Sequence, residues 1–210
     1  MGWAGTEFET IDLGDERRNK RAIRLVERAA GLRDWADTMA AYRFFDNEAV
    51  DWRAILGAHR DCAMTRIAAH EVALCIQDTT ELDFNGQEAS GLGPLNYEAQ
   101  RGMYAHPTYA VSTSREPLGV PDAWMWGREA KDKDGSRPRV KESMRWVEGY
   151  QRLVEMAADL PGTRLVYAYL SWSSFSSTPL KLTSGVALRK SCSCAIVRSL
   201  VSFMLITILG

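Results

Sequence analysis

The chain has 210 residues, enough for one sizeable core or for a small domain joined to a medium one, and its 26 Lys+Arg nearly balance 27 Asp+Glu. The balance is uneven: every acidic residue precedes Ala168 and four of the basic ones follow it, so an acidic body leads into a purely basic end. Neither part carries the charge excess that by itself announces nucleic acid. No secretory signal opens Met1–Glu7, and the apolar run from Ser199 to Leu209 is roughly half the 20 residues that a membrane helix needs.

A helix is expected from Asp15, with Gly14-Asp15 as its start signal and Glu16 in its first turn. Ala22, Ile23, Val26, Ala29 and Ala30 fall on one face at helical spacing, and Arg17, Arg18, Lys20, Arg21, Arg24 and Arg28 on the other. Gly31 ends this helix. A second is predicted over Trp35 to Phe45 and a third from about Val50 to His70, with Trp52, Ile55, Leu56, Ala63 and Ile67 as its apolar side. Residues 1–70 therefore predict a small helical module. The pattern then changes. Val72 to Ile76 is a continuous apolar run, as in a strand buried on both faces, and it ends at Gln77-Asp78-Thr79-Thr80. Met103 to Thr113 and Leu118 to Arg128, separated by Ser114-Arg115-Glu116-Pro117, predict a hairpin. A charged loop, Lys131 to Gly135, leads to a helix near Lys141 to Leu160, in which Met144, Val147, Tyr150, Leu153, Val154 and Ala157 keep helical spacing. After the Pro161-Gly162 turn, Arg164 to Tyr167 is expected as a fourth strand. From Ala168 there is no acid, and serines crowd Ser171, Ser173, Ser174, Ser176 and Ser177. Cys62 and Cys75 stand singly, and Cys192 with Cys194 has no second pair to complete a zinc site, so a reduced, cytoplasmic protein is expected.

Several spaced motifs sharpen this order of elements. Ile11-Asp12-Leu13-Gly14-Asp15-Glu16-Arg17-Arg18, Ala41-Tyr42-Arg43-Phe44-Phe45, Ile76-Gln77-Asp78-Thr79-Thr80, His106-Pro107, Trp124-x-Trp126 and Lys141-Glu142-Ser143 with Trp146 resemble the bacterial DDE transposases of the insertion-sequence-four and transposon-five type. The resemblance runs from about Trp3 to Tyr167 and does not include residues 168–210. It implies an α+β/α/β chain: a small helical domain over 1–70 that binds transposon-end DNA, an incomplete ribonuclease H-like mixed-sheet domain over 71–167, and an aberrant tail over 168–210.

The same resemblance makes Asp78 the first of three carboxylates that hold two Mg2+ or Mn2+ ions, one activating the attacking water or 3′-hydroxyl and the other stabilising the leaving oxygen. Without it, an aspartate leaving a buried strand reads as a turn cap. The second carboxylate is expected after the fourth strand in a Val-Ala-Asp-Arg-Glu-like segment. This chain has Ala168-Tyr169-Leu170-Ser171-Trp172 there, and the third carboxylate would lie later still. A chain truncated or frame-shifted after about residue 167 is therefore expected, with weak binding of either metal, no catalysis of its own, and a tail that does not continue the fourth strand; a fusion to foreign sequence and a natural divergent C-terminal segment with its own role are the alternatives for the tail.

Arg17, Arg18, Lys20, Arg21 and Arg43 lie where the family's amino-terminal domain contacts DNA; read without the family, they are a solvated face partly paired with Glu16 and Glu27. Tyr42, Phe44 and Phe45 are expected in the core. His106 reads either as a structurally satisfied histidine or as a neighbour of the active site, and Trp124 with Trp126 as the cover of one sheet face. The expected partners are double-stranded DNA at transposon ends and an intact transposase, with no membrane. The alternatives are a non-catalytic regulator that inhibits the intact enzyme and an inert pseudogene product.

Overall fold

The computed structural model of the protein describes residues 2–29, 35–86, 90–136 and 142–169. They form two compact units, divided after Arg66. Gly31, Lys141 and the stretch 170–210, about which the sequence makes specific claims, lie outside the described residues.

The first unit is helical: α1 (Trp3–Glu7), α2 (Glu16–Ala29), α3 (Trp35–Phe45) and most of α4 (Trp52–Ala68). Asp15 caps α2, its Oδ1 accepting the N–H groups of Arg17 at 2.8 Å and Arg18 at 3.2 Å, and Gly14 precedes it at φ +72°, a conformation that costs a glycine little. Asp51 accepts the Arg53 N–H at 2.9 Å in the same way, so α4 starts at Trp52, not at Val50. Phe8, Ile11, Leu13, Ala22, Val26, Phe44 and Ile55 form the core between these helices. Glu7, at the end of α1, is held to α4: Arg66 donates two hydrogen bonds to it, both 2.8 Å, and His59 Nδ1 lies 2.6 Å from its Oε1. Burial alone would raise the Glu7 carboxyl, but the bonds from His59 and Arg66 outweigh it and hold the group at about 2.

The second unit is a mixed sheet with a helix. Its strands are β1 (Val72–Gln77), β2 (Thr80–Asp83), β3 (Gly93–Pro94), β4 (Arg101–Ser112), β5 (Pro117–Trp126) and β6 (Arg164–Tyr169), and α5 (Glu142–Ala158) leads to β6. β4 pairs antiparallel with β1, β2, β3 and β5, while β6 lies parallel to β1. β2 and β3 are too short to show a period and leave no signal in the sequence.

One expectation is corrected here. The fourth strand does not stop at Tyr167: β6 runs on through Ala168 and Tyr169, paired with Ile76 and Gln77 of β1, and Ala168 is buried, because a small apolar residue fits the ladder whatever follows it. The apolar residues expected at helical spacing do lie in a helix, α5, but are not all covered. Leu153 and Met156 are buried, whereas Met144, Val147, Tyr150 and Val154 are exposed by 47%, 42%, 50% and 54%. The helix is turned so that Gly149 faces the sheet, where an added Cβ would lie 2.3 Å from Gln77 Oε1 and 2.9 Å from Trp124 Cη2. A packing line built on glycine leaves no mark in a hydrophobic pattern.

Candidate functional site

Asp78 sits in a break in the sheet that the sequence creates. β1 and β2 keep a single register along β4, with Gln77 opposite Thr108 and Thr80 opposite Ala105, so Asp78 and Thr79 fall opposite Pro107 and His106. Proline has no N–H to give to a ladder, and the pairing opens there. The Asp78 carboxylate accepts the Thr79 N–H at 2.8 Å. Burial pushes this carboxyl up to about 6, against the pull of that hydrogen bond.

Around the break, three side-chain pairs cross to β4, one each from β1, the break itself and β2. Gln77 Nε2 donates to Thr108 Oγ1 at 2.8 Å, Thr79 Oγ1 lies 2.6 Å from His106 Nδ1, and the Tyr104 hydroxyl donates to Glu81 at 3.0 Å. β5 extends the three rows, placing Asp122 beside Thr108, Trp124 beside His106 and Trp126 beside Tyr104. Arginines cover the aromatic part: Arg128 lies 4.4 Å from the Tyr104 ring centre, Arg145 4.8 Å from Trp126 and Arg152 4.7 Å from Trp124, and Arg152 also reaches Asp122 at 3.2 Å. His106 is wholly buried, with ring centres of Trp124 at 4.3 Å and Trp146 at 4.9 Å; burial, then the nearby Arg152 charge, lowers it to about 4, so the ring is neutral.

The donor set that the described residues offer around Asp78 does not fit a two-ion centre. Among the described residues no three or more His, Cys, Asp or Glu side chains come together as a metal site. Glu81 is committed to Tyr104 and to the Asn96 N–H, and Asp83 to Gln100 and the Asn85 N–H. Along β6, the last pair sets Tyr169 opposite Gln77, and the next residue in sequence is Leu170, whose side chain carries no oxygen.

The basic face of α2 divides once the side chains are placed. Arg18 is spent on the fold, donating from Nη1 to the Leu13 carbonyl and, at 3.4 Å, to that of Ala49. Arg21 reaches the Ala40 carbonyl at 3.3 Å, and Lys20 pairs with Glu16 at 2.6 Å one turn away. Arg17, Arg24 and Arg43 are exposed, and no described residue pairs with their guanidinium groups. Arg17, Lys20, Arg21 and Arg24 follow at i, i+3, i+4 and i+7 and so form one exposed strip.

Residues 1–50 match the model of a family described as transposase DNA-binding. The match takes in α1, α2 and α3, and with them Arg17, Arg18, Lys20, Arg21, Arg24 and Arg43. It stops short of Asp78 and the whole sheet. The sequence motifs do not single out Arg24, although its i+7 spacing from Arg17 marks it. Gln77 and Thr79 fall within the motif around Asp78, but only the register along β4 shows what they touch.

Proposed function

We propose that this is a cytoplasmic protein of the insertion-sequence-four and transposon-five kind that binds double-stranded transposon-end DNA and does not cut it. The observation that carries the reading is the coincidence of the transposase DNA-binding match over residues 1–50 with the exposed arginines of α2 and α3. Unpaired guanidinium groups release condensed counterions when they meet phosphates, which gives affinity without reading bases. The second unit is taken as a ribonuclease H-like domain whose carboxylate set is incomplete, because the sequence leaves the family pattern after about residue 167 and Asp78 lacks partners among the described residues. A protein that holds transposon ends without cleaving them competes with an intact transposase, so occupancy of those ends is the activity to measure.

The test is binding of the full chain to duplex transposon-end DNA over a salt series. Replacing Arg17, Arg24 and Arg43 together by Ala should weaken binding and flatten the salt slope by roughly 1 for each phosphate that is no longer neutralised. Arg18→Ala should act on folding instead, since its side chain serves backbone carbonyls. Binding that ignores salt, or that is untouched in the triple variant, would remove the reading.

A further inference from the structure

The hydrogen bonds beside Asp78 have one consistent assignment. Gln77 faces three groups: the Gly149 carbonyl at 3.0 Å, Thr108 Oγ1 at 2.8 Å and His106 Nε2 at 3.3 Å. A carbonyl oxygen only accepts, so the amide nitrogen of Gln77 must face Gly149, and Oε1 is left for His106. Oε1 accepts as well, so His106 carries its proton on Nε2. The ring is buried between tryptophans with Arg152 nearby and is neutral, which leaves a bare lone pair on Nδ1. The Thr79 hydroxyl, 2.6 Å away, must therefore donate to it. That bond orients Thr79, whose N–H holds the Asp78 carboxylate at 2.8 Å.

We propose that His106 is a positioning residue: in its Nε2–H form, set by Gln77 and ultimately by the Gly149 carbonyl of α5, it clamps Thr79 and thereby aims the carboxylate of Asp78. The two residues opposite the break then have separate tasks, Pro107 opening the ladder and His106 fixing what the opening releases. The clamp belongs entirely to the second unit and does not depend on DNA binding by the first.

The full-length chain, labelled with 15N in its imidazole rings and 13C in its aspartate carboxyls, tests this by NMR at a fixed alkaline pH. The unaltered protein should show His106 as a single neutral tautomer protonated on Nε2, with Nδ1 shifted by an accepted hydrogen bond. Thr79→Val, which keeps the shape and loses the hydroxyl, should abolish that shift and move the Asp78 carboxyl resonance towards that of an unstructured aspartate; Thr79→Ser should restore both. A His106 ring protonated on Nδ1, or an Asp78 resonance unmoved in Thr79→Val, overturns the proposal. The tautomer is read on the unaltered chain, so it decides the matter even if Thr79→Val does not fold.

Discussion

Glu7 shows how a single side chain ties local chemistry to the stability of a unit. Its carboxyl is held at about 2, below an ordinary value of 4.5, so the folded state binds fewer protons than the unfolded chain between these values. The stabilisation is fully present above pH 4.5 and is lost as the pH falls towards 2. Glu7→Gln should therefore lower the unfolding midpoint at neutral pH and flatten its acid dependence in that window, measured by thermal unfolding over a pH series. A Glu7→Gln protein with the same acid profile as the parent would contradict the assignment. The second unit gives no such simple readout, because two of its groups oppose each other. His106, lowered to about 4 from 6.5, loses stabilisation as the pH falls through that range, whereas Asp78, raised to about 6 from 3.8, is relieved of its burial penalty as the pH falls. Both groups sit where the sequence draws attention, at the end of β1 and beside Pro107. What each one touches depends on the partner strand, since the motif that includes Gln77 and Thr79 does not say what they face across β4.

At the scale of elements, α5 and the sheet meet through the absence of a side chain. Gly149 lets Gln77 and Trp124 come up to the helix backbone, and Ala in its place would put a Cβ 2.3 Å from Gln77 Oε1. In an exposed helix Gly→Ala stabilises by about 1 kcal/mol; here the overpacking should dominate and cost about 1–3 kcal/mol, because Gln77 is pinned by its own hydrogen bonds. Urea unfolding of Gly149→Ala tests this, and a stabilised protein would show that the helix does not approach as closely as described. The same helix marks where periodicity fails. Met144, Val147, Tyr150 and Val154 are apolar and helically spaced, yet they form an exposed stripe, and spacing has no means of saying which of two stripes meets the sheet. The start of α2 is legible for the opposite reason: Asp15 caps with its own side chain, an interaction complete within three residues.

For the molecule as a whole, the expected activity turns on counting ligands. Two divalent ions need several oxygen donors to fix a nucleophile and a leaving group in line, and most of the rate of such a transfer comes from that positioning. With Asp78 as the one carboxylate at the break among the described residues, the chain should leave transposon-end DNA un-nicked in Mg2+ or Mn2+, and Asp78→Ala should be indistinguishable from it; nicking that vanishes in Asp78→Ala would mean that other acids complete the site. The sequence by itself determined the helical character of the first part, the basic face of α2 and the position of Asp78 at a strand end, because each is written in residues close together in the chain: a helical period, a cap, an apolar run. Only the tertiary structure decided that Arg18 and Arg21 serve backbone carbonyls while Arg24 stands open, that β6 continues past Tyr167, and that Gln77, His106 and Thr79 form one chain of hydrogen bonds next to Asp78. These depend on the meeting of residues dozens of positions apart, and the register along β4, set jointly by four partner strands, is a property that no single segment of the sequence carries.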